Sequence, residues 1–598
     1  MIADTKRTLQ DSALLPMLAV FCITIAVILF APVQIFPPPG WVDPAMYIGY
    51  FLDYRNLLAE FGQSYHSARL PFVLTGSFLY GVFAPRIAGE LLVILFSCLA
   101  MAGFYGVVAK FHGRLPAIFI CCWLALNPLW IATMARGYVD GPAMSFVLLA
   151  LALMASAGGT RTWRFIAAGA LIALGAATHP ITVLLSGCGV LALLAMSWRS
   201  WRDSGIAILA LGAGFTLALA ALGFVSLALG GKFLFVLADQ NAITRSFKGF
   251  GSNYQLRWGE WVPMNYRVLG PVFALIVAGA TILHTRRLGG TPQATWLGLA
   301  LLLGPVAFLL YWDFVIGGAA LQSSFYTGYL LPGQALILAG AASVVTRFDP
   351  EQKSSSWKAI ILLLGGGALL AISLAPHLWN LEASVVQYRY KWLFLFSSLA
   401  LLLGALFMLR WRPALAGLGL LFILLAVVNS DTRRIFRPAG APDFGAYLTT
   451  TARVSSFVKG LGLGDRRLLF WFDRESYSDT SPHLAFWTDY SLRFGTTILR
   501  LNYWDSLASA WLWDSSMLGA EMPSFDAHAG NMLQASASPT SVALLCRVAI
   551  ECDAGRDRLE QRGYRLQLRG LTPVEEPGIS PFFIRVYDLD GPQPGAQS

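Results

Sequence analysis

Two carboxylates in short, aromatic or glycine-containing segments are the residues best suited to chemistry. Asp43 stands in GWVDPAMYIGYFLDY, and Asp140 stands in ARGYVDGPAMSF. A carboxylate held among aromatic rings at a lipid boundary can serve as a general base towards a hydroxyl group. The structural alternative is that each acid caps a helix, and Pro44 suits the first helical position. Two such acids on one face of a membrane form a more specific signal than either acid alone.

The elements that position these acids are membrane spans. Of 598 residues, 56% are hydrophobic and 13% are charged, with a mean hydropathy of +0.60, whereas soluble domains carry about 25% charged residues. Windows of about 20 apolar residues, the length that crosses a bilayer, recur from Ala13 to Asn429 and then stop. The window Leu14 to Phe36 exceeds the apolar core of a signal peptide and predicts a retained first span. We predict a transmembrane part, residues 1–430, and a soluble part, residues 431–598.

The windows predict about thirteen spans, and every second connection carries basic residues close to the membrane. This pattern places the N-terminus in the cytoplasm and residues 431–598 on the periplasmic, extracytoplasmic face of the plasma (inner) membrane. We therefore attribute the net charge of +10 to basic residues that set the membrane topology, and not to binding of nucleic acid. The fifth and sixth spans, divided by His179-Pro180, could instead form a re-entrant hairpin. The chain would still return to the same side of the membrane, so the predicted orientation would not change. The predicted spans are 14–36, 88–109, 115–134, 141–157, 165–178, 180–197, 205–230, 268–284, 294–312, 326–346, 358–376, 392–409 and 413–429.

Three longer connections, residues 37–87, 231–267 and 313–325, are predicted to lie on the external face. In the first, the apolar stretch Pro71 to Phe83 is too short to span and predicts a helix lying in the membrane interface. In the C-terminal part, the patterns predict an amphipathic helix followed by strands, and therefore an α/β domain. The predicted helix is Phe444 to Leu461, and the predicted strands are Arg467 to Phe472, Ser541 to Cys546 and Phe582 to Tyr587.

The order of motifs along residues 14–200 resembles the membrane glycosyltransferases of the GT-C fold, in particular the protein O-mannosyltransferase and lipid A aminoarabinose transferase type. The matching segments are VDPAMY, SARLPFVLTGSFLYGVF, VAKFHGRLPA, ARGYVDGPA and GALIALGAATHPITVLL. The segment YTGYLLPGQALIL matches more loosely, and residues 201–430 match only in hydropathy and spacing. The C-terminal part resembles no family. The resemblance implies a GT-C-like polytopic helical protein that takes a sugar from a polyprenyl phosphate outside the cytoplasm.

By this resemblance, Asp43 is expected to deprotonate or orient the acceptor, and Asp140 to position the acceptor or the sugar. The expected reaction is an inverting displacement that moves a hexose or pentose to an envelope glycan, lipid or protein. A lipid-linked donor also follows from the topology, because nucleotide sugars are cytoplasmic and the predicted site is not. The departing phosphate requires a positive charge that acts mainly in the transition state.

Arg69 and His179 are the favoured ligands of that phosphate. The family usually has a lysine or another basic residue near the position of His179, so the histidine must bind as an imidazolium or as a neutral donor. A packing role for His179 is the alternative. The family often has a basic residue before its YLLP-like segment, where this chain has residues 325–327, so Arg245 or Lys248 is a second choice. Arg257 is a further candidate for the phosphate. The other predicted substrate-binding residues are Tyr47 and Trp258, whose indole offers an apolar face to a sugar.

The sequence predicts no cofactor and no metal, because it has no zinc-type Cys/His cluster, P-loop, GxSxG or HExxH segment. The predicted partners are the lipid-linked sugar, its acceptor and the bilayer, and not nucleic acid. One alternative function is a transporter or flippase of lipid-linked glycans, which would carry ionisable residues at the bilayer midplane. Another is a non-catalytic envelope assembly protein. For Cys546 and Cys552, a disulfide and two free thiols remain equal alternatives.

Overall fold

A computed structural model of the chain describes helices up to residue 346 and a set of strands and helices after residue 453. The described residues are 14–30, 47–52, 54–55, 58, 63, 66–83, 85–125, 127–136, 139–157, 161–197, 201–236, 269–287, 292–311, 328–346, 453–454, 456–463, 467–471, 540–546, 548–561, 563–575 and 581–590. The predicted spans between residues 358 and 429 lie outside these ranges.

Helices dominate the described residues of the first 346 positions. The predicted interfacial segment is helical from Leu70 to Val82, and residues 47–52 before it are helical as well. The helices are α1 (Leu14–Phe30), α2 (Leu70–Val82), α3 (Pro85–His112), α4 (Arg114–Ala125), α5 (Pro128–Arg136), α6 (Asp140–Ser156), α7 (Thr162–Thr178), α8 (Ile181–Ser197), α9 (Trp201–Ala228), α10 (Leu269–Arg287), α11 (Gln293–Tyr311) and α12 (Leu331–Thr346).

Three of the described helices have the length and composition of membrane spans. Residues Ile87–His112 of α3, all of α9 and all of α11 are each long and apolar enough to cross a bilayer. Shorter apolar helices, among them α6 and α7 with 17 residues each, accompany them. The chain is therefore a polytopic membrane protein, as the sequence predicted.

One predicted span is divided in two. The sequence predicted a single helix over residues 115–134, whereas the structure has α4 and α5 with a break at Asn127. Pro128 lacks an N–H group, so it suits the first position of a new helix rather than the middle of a long one. The side chain of Asn127 accepts a hydrogen bond of 3.4 Å from the N–H of Trp130, which satisfies one N-terminal donor of α5.

The first of two compact units contains α1, α4–α8, α10–α12 and most of α3 and α9. Inside it, glycines allow helices to approach each other closely, as is common in membranes. A Cβ atom on Gly298 of α11 would lie 3.0 Å from the carbonyl oxygen of Gly333 in α12. Conversely, a Cβ atom on Gly333 would lie 2.8 Å from the carbonyl oxygen of Gly298. These glycines set how closely α12 packs on α11, and the apolar side chains of α10 share the same core.

Among the described C-terminal residues of the second unit, four strands form a sheet with the order β1-β2-β4-β3. β1 pairs with β2 in parallel, whereas β4 is antiparallel to β2 and to β3. The three strand predictions are confirmed, and residues 456–460 of the predicted amphipathic helix are helical. The elements are β1 (Arg467–Trp471), β2 (Thr540–Cys546), helix α13 (Ala549–Gln561), β3 (Arg565–Val574) and β4 (Phe582–Asp590).

Two features tie these elements together. A disulfide joins Cys546 at the end of β2 to Cys552 in α13, so of the two alternatives the structure has the bonded one. Inside the sheet, Asp588 of β4 is only 1% exposed, and it accepts a hydrogen bond of 2.7 Å from the hydroxyl of Ser541. Arg569 of β3 pairs with its other carboxylate oxygen. The buried charge of Asp588 is thus compensated within the sheet.

Candidate active site

Asp140 is bound by two side chains that are remote from it in sequence. It is the first residue of α6 and is 4% exposed. The hydroxyl of Tyr329 donates a hydrogen bond of 2.6 Å to its Oδ1 atom. Nε2 of His179 lies 3.5 Å from the same oxygen. Three polar residues of the first compact unit therefore meet at one buried carboxylate oxygen.

Asp140 does not stand at the N-cap position of its own helix. The N-cap position of α6 is Val139, and no side-chain cap hydrogen bond is formed there. The carbonyl of Val139 accepts the N–H of Ala143 at 2.9 Å, which begins the helical pattern. Asp140 still benefits from the N-terminal end of the helix dipole, which stabilises a negative charge in the first turn. From this position its side chain makes the contacts with Tyr329 and His179.

The helix break at His179-Pro180 turns the imidazole towards Asp140. α7 ends at Thr178, and His179 has extended backbone angles, with φ −152° and ψ 104°. Pro180 prevents α7 from continuing. It has no backbone N–H to donate a helical hydrogen bond, and its ring disfavours helical backbone angles at the preceding residue. The carbonyl of His179 then accepts the N–H of Thr182 at 2.9 Å, in the first turn of α8.

The contact between His179 and Asp140 is longer than a well-formed hydrogen bond, and it is an ion pair only when the imidazole is protonated. His179 therefore makes a polar contact in addition to any packing role. Whether His179 also binds a phosphate stays a prediction.

Sequence reasoning missed Tyr329. The residue is 2% exposed and lies two positions before α12, inside the loosely matching segment YTGYLLPGQALIL. A tyrosine just ahead of an apolar helix was the available signal. Nothing local links it to Asp140, because the two residues are 189 positions apart.

Arg69 and Tyr47 lie in the second compact unit and are both buried. Arg69 is 3% exposed and precedes α2, where its carbonyl accepts the N–H groups of Phe72 at 3.1 Å and Val73 at 3.0 Å. Tyr47 is 1% exposed, and its ring contacts His66 and Phe72 edge-on, with centroid distances of 4.9 and 5.1 Å. Tyr47 thus belongs to an aromatic cluster, and its contact with a substrate stays a prediction.

A tyrosine hydroxyl supports the turn that leads to Arg69. Tyr54 is 8% exposed, and its hydroxyl donates a hydrogen bond of 3.0 Å to the carbonyl of Ser67. Burial raises the pKa of Tyr54 well above its ordinary value, so the phenol remains a neutral donor. Next in the turn, the N–H of Arg69 bonds the carbonyl of His66 at 3.2 Å. The backbone before α2 is thereby held in one conformation.

The remaining predicted site residues lie outside the described ranges: Asp43, Arg245, Lys248, Arg257 and Trp258. Within the part of the chain that the structure describes, no group of three or more His, Cys, Asp or Glu residues is arranged to hold a metal ion.

Comparison with solved structures relates the whole chain to one known fold. The crystal structure of ArnT from Cupriavidus metallidurans bound to undecaprenyl phosphate matches with a TM-score of 0.53 and 14% identity, over 96% of this chain and 98% of that chain. The apo oligosaccharyltransferase of Archaeoglobus fulgidus matches with a TM-score of 0.38 and 12% identity, over 97% of this chain and 74% of that chain, which is too low to infer a common fold. No protein-family model and no curated protein sequence matches the chain. The chain therefore has the fold of ArnT, and the GT-C fold predicted from the order of its motifs is confirmed.

Proposed function

We propose that this protein is a membrane glycosyltransferase that moves a sugar from a polyprenyl-phosphate donor to an acceptor of the cell envelope. The observation that carries the proposal is the buried carboxylate of Asp140, bound by Tyr329 and His179, in a chain with the GT-C fold. The ligand of the ArnT crystal structure, undecaprenyl phosphate, supports a donor of the same chemical class.

The proposed reaction is a single inverting displacement. The acceptor hydroxyl attacks the anomeric carbon, the bond from that carbon to the phosphate oxygen breaks, and the lipid phosphate leaves with the bonding electrons. Asp43 accepts the proton of the hydroxyl, and Asp140 positions the acceptor or the sugar. Because Tyr329 and His179 hold the same oxygen of Asp140, the carboxylate has one orientation before the substrates arrive, which lowers the cost of aligning them.

Cations are assigned to the leaving phosphate. Arg69 is the first choice, because a guanidinium can bind two phosphate oxygens at once, and a buried charge acts more strongly than an exposed one. His179 is the second, and Arg245 and Lys248 are alternatives. Arg257 is a further candidate for the phosphate, whereas the sugar is assigned to Tyr47 and Trp258.

We place the active site on the outer face of the plasma membrane, with the N-terminus in the cytoplasm. Residues 1–430 form the catalytic part, and residues 431–598 form a periplasmic α/β domain. The disulfide between Cys546 and Cys552 supports this side of the membrane for the C-terminal part, because disulfides persist in oxidising compartments.

Sugar transfer by the purified full-length protein tests the proposal. The protein in lipid nanodiscs is incubated with a panel of polyprenyl-phosphate sugars and envelope fractions, and the products are identified by mass spectrometry. We expect transfer by the wild type and none by Asp43→Asn or Asp140→Asn. Asp203→Asn is the matched control, because Asp203 is an exposed acid in the first turn of α9, and it should be fully active.

Two results would count against the proposal. Normal transfer by both Asp43→Asn and Asp140→Asn would remove the assigned roles of the acids. Movement of a lipid-linked glycan across the membrane of vesicles that contain the protein, without any sugar transfer, would favour the transporter instead. Comparing the envelope glycans of a deletion strain with those of its parent identifies the acceptor.

A further inference from the structure

The short helix α5 lies against the backbone on both sides of the Asp140–Tyr329 hydrogen bond. Gly141 follows Asp140, and Gly328 precedes Tyr329. Both glycines approach α5, at its neighbouring residues Thr133 and Met134. Two segments that are far apart in the chain therefore rest on one turn of the same helix.

At Gly141 the approach is between backbones. A Cβ atom on this glycine would lie 2.9 Å from the carbonyl oxygen of Met134 and 3.0 Å from its Cα atom. Carbon atoms in contact normally stay 3.5–4.0 Å apart. Because the obstructing atoms belong to a helix backbone, no side-chain rotation could relieve the overlap, and α5 or α6 would have to move.

At Gly328 the approach is between the glycine and a buried side chain. A Cβ atom there would lie 2.6 Å from Cβ and 2.7 Å from Cγ2 of Thr133, and it would overlap the hydroxyl oxygen as well. Thr133 is fully buried, and its branched side chain has few alternative rotamers in a helix. The side chain of Thr133 thus fills the space that a side chain at position 328 would need.

α5 itself is firmly held. Asn127 caps its N-terminus, and Trp130, Met134 and Ala135 are 2%, 5% and 1% exposed. A nine-residue helix with these contacts behaves as a rigid block, because closely packed interiors transmit displacement rather than absorb it.

We propose that α5 is a spacer that sets the distance between Asp140 and Tyr329, and that Gly141, Gly328 and Thr133 are positioning residues. The proposal rests on the proposed function, since sugar transfer is what the Asp140–Tyr329 pair is taken to serve. The physical basis is steric. A hydrogen bond with an O···O distance of 2.6 Å weakens when its partners separate by a few tenths of an ångström, and an added methyl group next to either partner demands a shift of at least that size.

The test measures the energetic coupling of Tyr329 to its surroundings. Thermal unfolding of the full-length protein is compared with and without Tyr329→Phe in four backgrounds: wild type, Gly328→Ala, Thr133→Gly and the double variant. In the wild type, Tyr329→Phe should lower the unfolding midpoint. In Gly328→Ala and in Thr133→Gly its effect should shrink or vanish, because the spacing is already lost. In the double variant the new methyl group occupies the space vacated by Thr133, so the effect of Tyr329→Phe should return.

Gly187→Ala is the matched control, because it also adds a methyl group to a helical glycine but meets nothing within 4 Å. Tyr329→Phe should retain its full effect in that background. In transfer assays, Gly328→Ala should lower kcat by about tenfold or more with little change in the KM of the donor. The double variant should regain kcat, whereas Gly187→Ala should leave it unchanged.

The outcomes separate this proposal from the proposed function. An equal effect of Tyr329→Phe in all backgrounds would overturn the spacer, even if the protein transfers sugar. The expected coupling pattern without any sugar transfer by the wild type would support the spacer and contradict the function. If Gly328→Ala does not fold, Thr133→Gly and the double variant still decide, because the return of coupling in the double variant requires the contact.

Discussion

Tyr329 donates a hydrogen bond of 2.6 Å to Asp140 across 189 positions of sequence. Both residues are less than 5% exposed, so the bond is removed from water. A hydrogen bond to a charged acceptor in such surroundings is stronger than one between neutral groups. Together with His179 on the same oxygen, it holds Asp140 in one orientation at the start of α6.

Tyr329→Phe removes the hydroxyl donor while keeping the aromatic ring. The buried carboxylate of Asp140 then loses a partner, and we expect the free energy of unfolding to fall by about 1–3 kcal/mol. Transfer should slow by about tenfold or more, because the orientation of Asp140 is no longer fixed. Thermal unfolding and turnover measure the two effects. Tyr311→Phe, at an exposed position of α11, should change stability by less than about 0.5 kcal/mol.

Replacement of His179 distinguishes a polar role from a packing role. His179→Phe keeps a ring of similar size but cannot donate to Asp140 or to a phosphate, and His179→Gln keeps a donor. A hydrogen bond to a charged phosphate contributes about 1.5–3 kcal/mol, so loss of the donor should cost about 10- to 100-fold in kcat/KM if His179 binds the phosphate. We expect His179→Phe to lose transfer as fully as His179→Ala, which removes the ring, and His179→Gln to retain part of the activity. Full activity of His179→Phe would instead establish packing.

Replacing Cys546 and Cys552 with serine should destabilise the C-terminal sheet. Closing a loop of a few residues stabilises a fold by about 2 kcal/mol through the unfolded chain. The two cysteines are six positions apart, so urea unfolding of the double variant should show a loss of this order. Cys22→Ala in α1 is the control, because Cys22 is a free cysteine. Maleimide labelling of Cys546 and Cys552 in freshly denatured wild-type protein would contradict the disulfide.

Asp588 is a buried acid of the C-terminal sheet, and Asp588→Ala should destabilise the protein. The substitution leaves Ser541 without its acceptor and Arg569 without its carboxylate. Because the Arg569 side chain is 43% exposed and can turn to water, we expect a loss of about 1–3 kcal/mol rather than the larger cost of a fully buried pair. Asp557→Ala, an exposed acid of α13, is the comparison in the same unfolding experiment.

The buried phenol of Tyr54 predicts sensitivity to alkaline pH. Its pKa is raised by burial, whereas in the unfolded chain the phenol ionises near pH 10. Above about pH 10 the folded state keeps a proton that the unfolded state has lost, so this contribution to the free energy of unfolding falls as the pH rises. Tyr54→Phe cannot ionise and should show a shallower decline between about pH 9 and 11 in thermal unfolding scans. Parallel declines in both proteins would refute this account.

Much of the fold was predictable because hydropathy is a local property. The helices near residues 85–112, 201–228 and 293–311 follow apolar windows, and the strands at β1, β2 and β4 follow runs of apolar and β-branched residues. The prediction was wrong over residues 115–134, where window averages masked the effect of Asn127 and Pro128. Strand β3 and helix α13 were not predicted.

The candidate site was predictable only in part. Asp140 and His179 drew attention because each stands at the end of an apolar segment, beside glycine or proline. Their contact with each other did not follow from those signals, and neither did the participation of Tyr329. The roles of Gly141 and Gly328 emerge only when the neighbouring backbone of α5 is known.

The sequence by itself determined that this chain is a polytopic membrane protein with the GT-C fold, because burial in lipid demands long apolar helices and the order of motifs is written along the chain. The tertiary structure alone decided which polar groups meet. A pairing such as Asp140 with Tyr329 depends on how closely glycines let α5, α6 and α12 pack, and that distance is a property of contacting surfaces rather than of any segment.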